Sequence, residues 1–183
     1  MTWRGEVDAL IASASDALPL VVVEPTSSGA RCRNVASGAP VFASQRDPRG
    51  GEVWCRPDAL PLASGKIPSV ALSFVGCDLT AAEREATLRA AQRALAPNGV
   101  LFVIDHNRPR RRLAAFGALL RSPRVLGASP RSRWRRLAYP AAREVKAAGF
   151  AVDRMRLAAG ERVQVIVARK CATSGTFPID AGH

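Results

Sequence analysis

The chain has 183 residues, 48% of them hydrophobic, with a mean hydropathy of zero and a net charge of +12. That length suits one domain with one sizeable core. No apolar run approaches the roughly 20 residues of a membrane-spanning helix, and Met1 to Asp8 carry two acids and no apolar leader, so a soluble, cytoplasmic protein is expected.

Leu20-Val21-Val22-Val23-Glu24 is the first predicted strand, a continuous apolar run that Pro25 should stop, followed by the turn-prone Thr26-Ser27-Ser28-Gly29. Pro40-Val41-Phe42-Ala43-Ser44 is a weaker second strand, ended by Gln45-Arg46-Asp47, and Glu52-Val53-Trp54-Cys55 a short third. Asp58-Ala59-Leu60-Pro61-Leu62 and the residues to Gly65 read as a loop because Pro61 interrupts them. Val70 to Val75 form the next strand, which Gly76-Cys77-Asp78 leaves.

Thr80-Ala81-Ala82-Glu83 has the form of a capping box. An alanine-rich helix should follow to Leu95, burying Leu88, Ala91 and Leu95 and leaving Arg84, Arg89 and Arg93 for solvent. Leu95-Ala96-Pro97-Asn98-Gly99 reads as a helix stop and turn, and Val100-Leu101-Phe102-Val103-Ile104-Asp105 as a strand buried on both faces. A short helix is expected near Leu113 to Leu120 and another over Pro140 to Ala148, opened by proline and closed by Gly149. Phe150-Ala151-Val152 and Val163 to Ala168 should form an antiparallel hairpin, and residues 171–183 a loose tail after a single domain over 1–170.

Cys32, Cys55, Cys77 and Cys171 are far apart, with no CxxC pair, and only His106 and His183 could add imidazole. They read as reduced, mostly structural thiols, and no metal is expected.

The pieces Asp58-Ala59-Leu60-Pro61-Leu62, Leu95 to Asp105 and Ala147-Ala148-Gly149-Phe150-Ala151-Val152, in that order, resemble the second half of a class I S-adenosylmethionine-dependent methyltransferase over residues 52–169. The resemblance implies a Rossmann-like α/β fold: a mostly parallel sheet with an antiparallel closing hairpin and a shortened N-terminal half. It implies S-adenosylmethionine as cofactor. Glu24 and Gly29 would stand in the turn after the first strand, Asp47 at the ribose hydroxyls, and Asp58 at the adenine amino group with Ala59 and Leu60 beside the ring.

The sequence departs from the family at that first turn, where Glu24-Pro25-Thr26-Ser27-Ser28-Gly29-Ala30 keeps one glycine of the usual pattern. The stretch from Asp47 to Glu52 is also too short for a helix between strands two and three. Glu24 and Asp47 are therefore either cofactor contacts or polar strand ends, and Asp58 either a cofactor contact or a turn cap. Asp105 and His106 end a central strand, where ligands collect in open α/β sheets, and are the candidate catalytic pair, with His106 a base if the acceptor is a hydroxyl. Structural roles for both stay open. Phe74-Val75-Gly76-Cys77-Asp78 replaces the Asn-Pro-Pro-Tyr-like motif that goes with methylation of amino groups on bases or glutamine.

The charge is local. His106 to Arg143 holds eleven arginines and no Asp, Glu or Lys, so this stretch carries +11 of the +12. A GC-rich genome explains a high Arg:Lys ratio but not the missing acids, and such a strip calls for an anionic counterpart. Arg108, Arg133, Trp134, Arg135 and Arg136 are candidate contacts to an acidic small-molecule acceptor, to nucleic acid or to an anionic membrane, with Trp134 able to stack on a base. Tyr139 either lines a substrate pocket or packs. Leu113 to Leu120 could equally form an amphipathic lid over an apolar substrate or a surface anchor.

Three functions remain: a small methyltransferase acting on an anionic or lipophilic acceptor, a catalytically inactive binding or regulatory subunit whose shortened half is completed by a protein partner, and an arginine-rich nucleic-acid or membrane binder.

Overall fold

The computed structural model of the chain describes residues 21–26, 29–34, 52–107, 141–158, 161 and 163–171. The strand expected over 40–44, the helix near 113–120 and the tail after 171 lie outside them.

Seven strands form one sheet: β1 (Val21–Thr26), β2 (Gly29–Asn34), β3 (Glu52–Cys55), β4 (Ile67–Ser73), β5 (Leu95–His106), β6 (Phe150–Ala158) and β7 (Val163–Lys170), in the order β3-β2-β1-β4-β5-β7-β6. The run 3-2-1-4-5 is that of a doubly wound, Rossmann-like sheet, with the order reversing between β1 and β4. The expected mostly parallel pairing is corrected. Only β1 with β4 and β4 with β5 pair in parallel, and the other pairs are antiparallel.

The cause is local. Thr26 pairs with Gly29, so two residues join β1 to β2. A link that short can only return the chain antiparallel, whereas a parallel neighbour needs a crossover of a dozen residues or more. Pro25 does not end β1, because the pairing with β4 stops at Val23 and a missing donor at Pro25 breaks no bond of that ladder.

The remaining elements follow the sequence closely. Helix α1 (Ala81–Ala94) begins at Thr80, whose hydroxyl accepts from the Glu83 amide at 3.3 Å while Glu83 Oε2 accepts from the Thr80 amide at 2.8 Å, closing the capping box. Leu88, Ala91 and Leu95 are buried as the periodicity requires. Arg89 and Arg93 are exposed as expected, whereas Arg84 is only partly so. Arg93 donates to the carbonyls of Leu60 and Leu62 at 2.9 and 3.1 Å and ties the 58–65 loop to the helix.

After Leu95 the chain turns through Asn98 at φ 60° before pairing resumes at Val100, so the predicted turn persists inside the long strand. Helix α2 (Ala141–Ala147) ends at Gly149, whose φ of 84° favours a residue without Cβ. β6 and β7 form the expected antiparallel hairpin.

Both described helices pack on one face of the sheet, where Leu88, Ala91, Ala141 and Val145 meet Val23, Leu72, Leu101, Val103 and Ile166. The other face gathers Ala71, Val100, Phe102, Ile104, Val165 and Val167. β5 is thus buried on both sides, and each large apolar side chain so buried contributes about 1.5–3 kcal/mol. No described helix is long and apolar enough to cross a membrane.

Candidate functional site at the carboxyl edge

β4 and β5 run parallel to β1, and β3 shares that direction because it opposes β2, which opposes β1. The carboxyl ends of β1, β3, β4 and β5 therefore lie along one edge of the sheet. That edge spans the reversal between β1 and β4, the place where open α/β sheets take ligands. Glu24, Asp58, Asp105 and His106 all lie at or just beyond these strand ends. Asp47, Arg108, Arg133, Trp134, Arg135, Arg136 and Tyr139 lie outside the described residues.

Asp105 is fully buried at the end of β5. Burial pushes its carboxyl up to about 7, against the pull of the backbone amides of His106, Gly76 and Cys77 and of the Cys77 thiol, which favour the ionised form. Oδ1 accepts from the His106 amide at 2.7 Å, while Oδ2 has no hydrogen-bond partner among the described residues. A carboxyl poised near neutrality can hold or release a proton at the pH of a cell.

Its surroundings come from the turn after β4. Phe74 sits at φ 56°, a strained backbone for a bulky residue, and donates its amide to Ile104 O at 2.7 Å. This bends the chain into the short 3-10 turn Gly76–Asp78. The Phe74 ring lies 5.1 Å from the His106 imidazole at 54°. Leu72, Val75, Leu79 and Val103 line a cavity of about 10 Å³ behind the turn, room for one water at most.

At the end of β1, Glu24 faces its cross-strand partner Arg31 and accepts from it at 2.8 Å, with Arg33 at 3.9 Å. Next to it, the hydroxyl of Thr26 is buried and has no hydrogen-bond partner among the described residues. Gly29 does not stand open. A Cβ there would meet the Cys55 carbonyl at 2.9 Å, so the glycine serves the close approach of β3.

Asp58 is held by Arg56 in a two-pronged pair at 3.0 and 2.8 Å, and this keeps its carboxyl below the usual range. Ala59 is exposed and closes the turn back to the Arg56 carbonyl at 3.1 Å. Leu60 is only 2% exposed and belongs to the core rather than to the edge.

The acidic part of the edge offers an ionised Asp58, already paired with Arg56, and two buried polar atoms without a hydrogen-bond partner among the described residues, Thr26 Oγ1 and Asp105 Oδ2. The glycine part does not fit a nucleoside-like guest. In its place stand a β-hairpin and the Glu24–Arg31 pair. Sequence reasoning missed Thr26, Phe74 and Cys77, because a buried hydroxyl and a left-handed phenylalanine leave no composition signal.

No protein-family model matches the sequence, and no curated protein matches it. Among solved structures, an S-adenosylmethionine-dependent methyltransferase from Aquifex aeolicus is similar to 64% of this chain at 16% identity and TM-score 0.46, over 53% of its own length. A Nostoc punctiforme protein provisionally described as an O-methyltransferase is similar to 64% at 24% identity and TM-score 0.49, over 35% of its length. Human N-acetylserotonin methyltransferase, in complex with S-adenosylmethionine, is similar to 66% at 17% identity and TM-score 0.47. The chain thus spans about half the length or less of these structures, 33% in the human enzyme.

Proposed function

We propose that the chain is a small S-adenosylmethionine-dependent methyltransferase-type protein that takes its nucleoside ligand along the carboxyl edge. The observation that carries this reading is the pair of buried, unsatisfied polar atoms, Thr26 Oγ1 and Asp105 Oδ2, at the ends of β1 and β5 on either side of β4. An unpaired buried polar group costs about 1–3 kcal/mol, and two on one edge at the strand reversal call for a polar guest. In this reading Asp58 accepts from the adenine amino group, and Asp47 is the partner for the ribose. Asp105 and His106 face the acceptor, and the arginine-rich segment with Arg108, Arg133, Trp134, Arg135, Arg136 and Tyr139 closes over an anionic or lipophilic molecule. When bound, the cofactor supplies an electrophilic methyl group on sulfonium.

Thermal unfolding of the full chain with S-adenosylmethionine and with its demethylated product tests the reading. Only a ligand that prefers the folded state raises the midpoint. Both should do so, and Asp58→Ala should weaken the shift. No shift and no heat of binding at millimolar ligand would end the proposal.

A second reading, a catalytically inactive binding or regulatory subunit, is favoured by the hairpin at Thr26–Gly29 that stands where a glycine cradle would be. It predicts no cofactor binding together with a stable protein partner.

A further inference from the structure

Cys32 and Cys55 lie 23 positions apart in sequence, yet their sulfurs are 3.3 Å apart. The sheet register explains the meeting. In the β2–β3 ladder Ala30 faces Cys55 and Cys32 faces Val53, so the two cysteines are diagonal neighbours on the same, core-facing side. Gly29 brings the strands together here, because its missing Cβ leaves room for the Cys55 carbonyl. The two thiols are unequal. Cys32 is fully buried and Cys55 half-buried. Either sulfur can donate in this contact; the contact draws Cys55 below the ordinary thiol range, while the same contact, reinforced by burial, raises Cys32.

We propose that Cys32 and Cys55 are a thiol–disulfide exchange site, with Cys55 the attacking sulfur, Cys32 the resolving one, and a low-molecular-weight disulfide such as oxidised glutathione the oxidant. The geometry fits each step. The Cys55 thiolate, the less buried of the two, attacks one sulfur of the small disulfide, forming a mixed disulfide and releasing one thiolate, which takes up a proton. Cys32, already in contact, then attacks the Cys55 sulfur. The Cys32–Cys55 bond forms, the bond to the small thiol breaks, and the Cys32 proton leaves with the second small thiol. Two protein thiols are oxidised and one small disulfide is reduced to two thiols. Closing 3.3 Å to bonding distance requires rotation of both side chains together with a small approach of β3 to β2, because the two positions are diagonal in the ladder. The product ties the edge strand β3 to β2 at the residue that leads into the Arg56–Asp58 turn, and it forms whether or not the edge takes a nucleoside.

The test treats the full-length, folded chain with oxidised glutathione at neutral pH, alkylates the remaining thiols and maps the peptides. The expected product is a Cys32–Cys55 link that dithiothreitol reverses. In Cys32→Ser the reaction should stop with a glutathionyl group on Cys55, and in Cys55→Ser the buried Cys32 should stay unmodified. If either variant fails to fold, the wild-type map decides alone. Alkylation of both cysteines after oxidant, a lasting mixed disulfide on wild-type Cys55, or a link from Cys55 to Cys77 or Cys171 would overturn the proposal.

Discussion

Arg84 and Glu144, 60 positions apart in sequence, form a two-pronged ion pair with both N–O distances at 2.7 Å, and it joins α1 to α2 beside the candidate site. The side chains are only 13% and 22% exposed, and Arg84 also donates to the Leu79 carbonyl at 2.8 Å. Removing one partner strands the other in a poorly hydrated place. Discounting the 3–5 kcal/mol of a fully buried pair for the remaining exposure, Glu144→Ala should cost about 1–3 kcal/mol. Urea unfolding should show a lower midpoint at an unchanged slope.

The carboxyl of Asp105 makes stability depend on pH in a direction opposite to that of a salt-bridged acid. Its folded value near 7 lies above the unfolded value near 3.9. The folded state therefore binds the extra proton between those limits. Stability is full below pH 4, falls as pH rises to about 7, and is level beyond. The whole loss is on the order of 4 kcal/mol. Asp105→Asn should flatten this slope. Urea midpoints from pH 4 to 8 check it, and an identical slope in the variant would show that another group is responsible.

Gly29→Ala separates a structural glycine from a ligand-binding one. The new methyl group would sit 2.9 Å from the Cys55 carbonyl, so β3 must retreat. Overpacking of this kind costs about 1–3 kcal/mol. The melting temperature without ligand should fall. An unchanged melting temperature with lost ligand binding would instead mark Gly29 as part of a cradle.

Thr80→Ala removes the hydroxyl that accepts from the Glu83 amide and donates to Glu83 Oε2, while the backbone amide at position 80 still donates to that carboxylate at the start of α1. The expected loss is about 0.5–2 kcal/mol, read from chemical denaturation. Ligand response, measured in parallel, should persist.

The second half of the fold was legible because its signals are local. The capping box at Thr80, the Pro97-Asn98-Gly99 turn and the unbroken apolar run from Val100 each act within a few residues, and each forms as expected. The first half was not. Thr26 to Gly29 reads equally well as a loop before a helix or as a hairpin, and what decides is a contact with a distant partner, the Cys55 carbonyl that only glycine admits. The acids of the edge were legible by their place at strand ends, but not by their states. Glu24 is engaged because Arg31 falls opposite it in the register, and Asp105 is raised because the fold buries it completely, which outweighs the hydrogen bonds that favour its ionised form.

The reversed second strand also shapes how the molecule assembles. β1, β2 and β3 make a meander whose first turn can zip as soon as those residues leave the ribosome, since Thr26 and Gly29 are near neighbours. Joining it to the rest requires Val21 to find Val70, 49 positions away. Loop-closure entropy sets that encounter late. The seam between β1 and β4 is thus the join between the hairpin-linked and the helix-linked parts of the sheet, and the edge that holds Thr26 and Phe74 is complete only when they pair.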